Sequence, residues 1–415
     1  MTRVLRRLAL GAVAVTAGAC GGEFGPINDL PRELSVAEQA LVDADNRFAF
    51  KLFREIVAQE ESGANVFVSP VSVAMALGMT YNGAREATRD AMQALLELQG
   101  MDLQQVNEAY ASLIALLRGL DPAVEFRIAN SIWHRLDLPV RQAFIDLNQQ
   151  YFAAQVTGLD FSLPSAAPTI NEWVNVNTSG RITEIVDDPI DPDLVMFLIN
   201  AIYFKGDWTF QFDKRLTSSE SFRRADGSEV TVPRMKHEGE IPFHYTFDNG
   251  VQVGDLAYGG GPYRMTVVLP PDPGALDALL ADLTRERWDQ WVSALDSIEG
   301  YVELPKFTLE YAVELKDVLT ALGMGVAFRD DEADLSGIAM EPGQLFISKV
   351  KHKTFVSVDE EGTEAAAVTS VGIVPTSGPP SFIVDRPFFF VLRERLSGTI
   401  LFMGKIADPS VLTPN

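Results

Sequence analysis

The sequence predicts a single large α+β domain, and three observations carry that expectation. Its 415 residues are 47% apolar and 22% charged, enough to bury a sizeable core and unlike a disordered acidic chain. Helical periodicity gathers in the first half and strand-like runs in the second, without the regular strand–helix alternation of a parallel α/β fold. From Leu41 to the C-terminus there is no internal repeat, low-complexity block or second linker.

The N-terminus reads as a processing segment. Arg3, Arg6 and Arg7 precede an apolar run from Leu8 to Ala17, and Gly18 and Ala19 then lead into Cys20. That is the layout of a secretory signal spanning residues 1–19, and its apolar stretch falls short of the ~20 residues of a spanning helix. Cys20 at the cleavage point resembles a bacterial lipoprotein signal, in which the cysteine is lipidated and becomes the new N-terminus, although Ala17 stands where that pattern prefers Leu or Val. An ordinary signal cut near Ala19, leaving a free thiol, is the alternative. Either way the protein is expected to be exported, as an envelope lipoprotein or an extracellular protein. Residues 20–35 have the Gly and Pro content of a tether, the domain is expected over residues 36–411, and 412–415 form a short tail.

Within the domain, Phe48, Leu52, Phe53, Ile56 and Val57 share one helical face, predicting a helix over Asp43 to Gln59. Ser69 followed by Pro70 is an N-cap and first-turn pair opening a segment apolar nearly all round, so that helix belongs inside the molecule. Further helices are expected at Glu86 to Leu98, Leu103 to Leu117 and Ile170 to Asn177. Strands are expected at Met265 to Leu269, Leu345 to Val350, Thr354 to Val358, Phe388 to Leu392 and Thr399 to Met403. The last two are continuous apolar runs and should be buried on both faces.

Composition and motifs bound the chemistry. Lys+Arg of 34 against Asp+Glu of 57 gives a net charge of −23, made still more negative by loss of three signal arginines. Such a charge repels phosphate backbones and argues against nucleic acid or an anionic bilayer surface as partner. With Cys20 the only cysteine, no intrachain disulfide, cysteine-rich zinc site or redox pair can form. The four histidines, His134, His237, His244 and His352, show no HExxH spacing, and neither a GxSxG elbow nor a phosphate-binding loop occurs. Gly259-Gly260-Gly261 reads as a plain turn, and the acidic runs Asp187 to Asp193 and Asp330 to Asp334 as solvated turns without the calcium-loop glycine. The chain is therefore not read as an enzyme, and no metal or cofactor is assigned.

The unusual segment is VDEEGTEAAAVTSVGIVPTSGPP, Val358 to Pro380. From Gly362 to Val374 it has no proline, and its side chains are small or β-branched except Glu364. At period two, Thr363, Ala365, Ala367, Thr369, Val371 and Ile373 share a narrow, buriable face. The stretch then runs into Pro375-Thr376-Ser377-Gly378, loop chemistry that proteases find accessible. Composition alone leaves open both an ordinary surface loop and a segment with two states.

Glu360-Glu361-Gly362-Thr363-Glu364-Ala365-Ala366-Ala367 resembles the hinge of the serpins, and further motifs agree in order along the chain. They include Asn65 to Leu77, Asn171-Glu172-Trp173-Val174, Thr178 to Ile182, Asn200 to Trp208 and Leu304 to Phe307. Ala333 to Ile338, Asp385 to Phe388 and Leu401 to Lys405 complete the set. The resemblance implies a serpin fold of three β-sheets and eight or nine helices, with an exposed reactive-centre loop and the monomeric habit of the family. It implies suicide inhibition of a serine protease through a covalent acyl complex, after which the cut loop becomes a new strand of the large sheet.

Family spacing from Glu360 and from Pro387 places the reactive bond at Thr376-Ser377, which suits an elastase-like or subtilisin-like protease. The hinge comprises Glu360, Gly362, Thr363, Glu364, Ala365, Ala366 and Ala367. Ser69, Ser72, Asn200 and His352 match the polar shutter beneath the opening sheet, and Lys306 and Trp208, with Glu360, match the breach where insertion begins. Arg89 is the sole basic residue between Glu86 and Tyr110, so no heparin site is expected. The competing readings are a non-inhibitory serpin acting as a carrier, storage or substrate-like protein, and a secreted enzyme on another fold. Small side chains along Thr363 to Thr369 favour the inhibitor.

Overall fold

A helix that starts at Val36 sets the first boundary of the computed structural model, which describes residues 26–339, 345–363 and 380–410. This α1 (Val36–Gln59) begins ahead of the expected Asp43, because Ser35 and Glu38 form a reciprocal capping box that extends it beyond the apolar periodicity. Next come β1 (Val66–Val68) and α2 (Pro70–Tyr81), capped by Ser69 as expected and buried along nearly its whole length. α3 (Glu86–Leu95) stops short of Leu98, since Glu97 adopts a positive φ of 58°. α4 (Leu103–Gly119), β2 (Val124–Arg135), α5 (Gln142–Phe152), β3 (Gln155–Leu159) and α6 (Ala166–Asn177) follow.

The second half is mostly strand. β4 (Met196–Asp207), β5 (Ser218–Arg223), β6 (Glu229–Lys236), β7 (Ile241–Asp248), β8 (Val251–Tyr258) and β9 (Tyr263–Leu269) lead to two short helices, α7 (Leu276–Ala281) and α8 (Arg285–Ser293). Gly259 to Gly261 make the turn between β8 and β9, Gly259 and Gly261 with positive φ. β10 (Asp296–Pro305), β11 (Phe307–Glu314), α9 (Lys316–Leu319), β12 (Lys351–Val358), β13 (Gly362–Thr363), β14 (Ser381–Ile383), β15 (Phe388–Glu394) and β16 (Ile400–Ile406) complete the order. Nine α-helices are thus present among the described residues.

Three sheets are built from these strands. One runs β1-β16-β15-β9-β8-β7-β10, and the upper half of β10 continues into a second with β14, β6 and β5. Every residue of β15 and β16 is buried, as their unbroken apolar runs predict. The third sheet is divided: β3-β2-β4-β13 lies on one side of an opening and β12-β11 on the other. The main core fills the space between α1, α2 and the sheets, while a second cluster packs α6 and the chain after it onto Trp133 of β2 and Ile199 of β4.

The strand expected at Leu345 to Val350 does not form. Its backbone is spent on irregular bonds instead: Ile347 N–H donates to Ala327 O at 2.9 Å, Val350 N–H to the Glu314 carboxylate at 2.7 Å, and Val350 O accepts from Leu315 N–H. Among the described residues no neighbouring strand ladder is available to it beside the opening. The stretch expected as a tether meets the domain at Ile27, whose N–H donates to Gly260 O at 2.8 Å while Arg395 binds Ile27 O and Asn28.

Candidate functional site

Two strand edges face each other across the opening. β4 pairs with β2 along its whole length, from Met196 opposite His134 to Gly206 opposite Val124. On its other edge, among the described residues, it pairs only at Gly206 and Asp207, with Thr363 and Gly362 of β13. Among the described residues β12 likewise pairs with β11 on one edge alone. From Met196 to Lys205, therefore, backbone groups that would normally belong to a ladder border a slot one strand could fill. Its lower part is a cavity of about 210 Å³, lined by Ser72, Leu77, Leu198, Asn200, Val350 and His352 among others. A smaller cavity of about 20 Å³ continues upward past Phe204 and Val356 to Thr363.

The chain between α6 and β4 covers the slot from outside. Val186, Ile190 and Leu194 pack into the second core cluster, and Asp187 pairs with Lys351 at 2.5 Å. Asp191 approaches Lys349 at 3.9 Å, and Arg181 sits over the Phe355 ring of β12. The acidic run is thus turn-forming, as expected, and two of its carboxylates reach across to the β12 side.

At the upper end the hinge is clamped by the chain after β4. The backbone N–H of Trp208 donates to Glu361 O at 2.9 Å, Phe212 N–H to Glu360 O at 2.8 Å, and the Trp208 indole to Asp359 O at 2.9 Å. Lys306 Nζ reaches Glu360 Oε2 at 2.9 Å, Thr217 donates to Oε1 at 2.8 Å, and Lys214 pairs with Glu361. Burial opposes ionisation of Glu360, but the hydrogen bonds from Lys306 and Thr217 outweigh it and hold the carboxyl below its ordinary range. Gly362 lies so close to β4 that a Cβ there would meet Gly206 O at 2.2 Å, and its φ of 156° is one that other residues rarely adopt. The breach residues Lys306, Glu360 and Trp208 are therefore brought together. Phe212, Lys214 and Thr217 belong to the same clamp and carry no sequence signal of their own.

Beneath the slot the four shutter residues also meet. The buried His352 Nε2 accepts from Ser69 N–H at 3.0 Å, and Ser69 Oγ donates to Leu401 O at 2.7 Å while accepting from Ser72 N–H. Ser72 Oγ donates to Asn200 O at 3.4 Å. Asn200 Nδ2 donates to Asn130 Oδ1 at 2.7 Å, which adds a β2 residue that sequence reasoning missed, and Asn200 Oδ1 is buried without a partner among the described residues. Burial without a charged neighbour drives the His352 pKa down to about 4, so the ring is neutral. Cys20, Glu364, Ala365, Ala366, Ala367, Thr376 and Ser377 lie outside the described residues.

Comparison with known proteins agrees with this geometry. The family described as Serpin (serine protease inhibitor) matches residues 43–409. Iripin-2 of Ixodes ricinus is 36% identical over 376 residues, covering 89% of this chain and 94% of the relative. The human leukocyte elastase inhibitor is 33% identical over 383 residues, covering 89% of this chain and all of its own. Human thyroxine-binding globulin, solved in complex with thyroxine, superposes with a TM-score of 0.80 at 27% identity over 90% of this chain and all of its own.

Two outcomes follow from the charges in the site. Lys306→Met should strand the buried Glu360 carboxylate and lower the thermal midpoint by about 2 °C near neutral pH. Because the folded Glu360 titrates below its ordinary value, the loss should be complete above about pH 4.5 and vanish as acid protonates the carboxyl. His352 behaves oppositely in charge but not in sign: its folded pKa of about 4 lies below the usual 6.5, so stability is full above about pH 6.5 and falls toward pH 4. Urea midpoints across that range should fall less steeply in His352→Gln; an equal fall would assign the titration to His237, which burial also lowers to about 4.

Proposed function

The chain belongs to the serpin family, and on that premise we propose that it is an inhibitory member, a suicide-substrate inhibitor of elastase-like or subtilisin-like serine proteases. The observation that carries this reading is the slot bordered by the edges of β4 and β12 that no described residue pairs, with Gly362 and Thr363 already laddered to the top of β4. A free edge of about ten residues, near 33 Å at the rise of a strand, matches the stretch of small and β-branched residues that follows Thr363 in sequence.

The chemistry belongs to the protease. Its serine attacks the Thr376 carbonyl, the bond to Ser377 breaks, and the new amine departs on the C-terminal peptide while Thr376 remains esterified to the enzyme. Insertion of the freed loop into the slot drags the esterified protease with it and pulls its acylated serine out of register with the rest of its catalytic groups before water can hydrolyse the ester. Strand addition of this kind supplies main-chain hydrogen bonds along both edges. Identity to a leukocyte elastase inhibitor and the Pro375-Thr376 pair support the protease class. The signal-like N-terminus supports an exported inhibitor held at a membrane through lipidated Cys20, and the family resemblance supports a monomer.

The likeness to thyroxine-binding globulin favours a second reading, a non-inhibitory carrier. Incubation with pancreatic elastase and with subtilisin separates the two. The inhibitor reading expects a denaturation-resistant adduct and a released peptide beginning at Ser377, and expects Ala367→Arg, on the narrow face that begins at Thr363, to be cleaved without trapping, because an unpaired guanidinium opposes burial in the slot. Cleavage of the wild-type protein with neither adduct nor gain in heat stability would favour the carrier.

A further inference from the structure

Where the hinge enters the slot, its first inward side chain meets one residue from another sheet. Tyr258 ends β8 and is fully buried, its ring stacked on Trp208 at 4.3 Å and met edge-on by Phe204 at 5.2 Å. Gly206 makes the room: a Cβ there would come within 3.2 Å of both Phe204 and Tyr258. The Tyr258 hydroxyl lies 3.1 Å from Thr363 Oγ1, which is its hydrogen-bond partner among the described residues, and Thr363 is itself only 4% exposed. Neither residue is near the other in sequence, and Tyr258 belongs to none of the motifs that mark the hinge, breach or shutter.

We propose that Tyr258 is a positioning residue for loop insertion, fixing the first inserted residue through the Thr363 hydroxyl and setting a demand for a hydroxyl at that position. The inference rests on the insertion reading above. The surroundings of the Tyr258 hydroxyl are aromatic, so a buried donor there is costly when its partner is lost. Thr363 satisfies it only when it lies beside Gly206 at the head of the slot. The pair therefore weights the hinge toward its inserted position before the rest of the loop follows. A valine of the same shape would fill the space and leave the tyrosine unpaired, and a site built to receive a hydroxyl discriminates strongly against the isostere lacking one.

The test compares wild type, Tyr258→Phe, Thr363→Val, Thr363→Ser and the Tyr258→Phe/Thr363→Val double variant against subtilisin and elastase, counting inhibitor molecules consumed per protease trapped. Each of the first two variants should raise that number about threefold to tenfold, Thr363→Ser should restore the wild-type value, and the double variant should be no worse than the poorer single. Thermal midpoints of the intact forms report any loss of core packing at Tyr258, which Thr363→Val does not disturb. Trapping by Thr363→Val as efficient as wild type, failure of Thr363→Ser to rescue, or fully additive effects would overturn the role of Tyr258 alone. Where wild type gains heat stability on cleavage without trapping either enzyme, guanidinium midpoints of the cleaved forms decide by the same comparisons. Wild type that is cleaved with neither adduct nor gain in stability overturns insertion and this role together.

Discussion

The two edges of β4 and β12 that are left unpaired among the described residues are the constraint on which the rest of the structure depends. An exposed edge is ordinarily a liability, because its backbone donors and acceptors invite any passing strand. Here the edges face inward across a slot, and the surrounding elements are arranged to make that tolerable. α2 lies beneath, buried almost throughout; the chain after α6 lies outside, seated on its own apolar cluster and tied to Lys351. The polar groups that cannot avoid the slot are paired through Ser69, Ser72, Asn130 and His352, and among the described residues Asn200 Oδ1 is left without a partner.

The same constraint explains why the head of the slot is so heavily bonded. Three backbone carbonyls, of Asp359, Glu360 and Glu361, are each taken by a donor from the chain after β4, and both glutamates are matched by lysines. The register of Gly362 and Thr363 on β4 is thereby set, and with it the register of any strand continuing from them. Glycine at 206 and 362 serves the same end by letting the two strands and the Tyr258 ring approach closely.

Much of this was legible in the sequence where the signal was local. The Ser69-Pro70 cap, the continuous apolar runs of β15 and β16, and the glycine turn at 259–261 depend on neighbours a few residues away, and each forms as expected. Leu345 to Val350 failed because a local apolar run says nothing about whether a partner strand exists, and beside the slot the described residues supply none. The early start of α1 was readable from Ser35 and Glu38 but lay outside the apolar period. His352, Asn200 and Lys306 were found through resemblance and not through chemistry of their own. Asn130 and Tyr258 were missed because what defines them is a partner distant in the chain, Asn200 for one and Thr363 for the other.

Hydrogen exchange of the β4 amides, measured before and after the loop is cut by subtilisin, tests the central claim most directly. The account predicts that slot-facing amides between Met196 and Lys205 exchange readily in the intact protein and become strongly protected after cleavage, while those bonded to β2 are protected in both forms. Slot-facing amides that stay as exposed after cleavage as before would show that no strand enters between β4 and β12, and would contradict it.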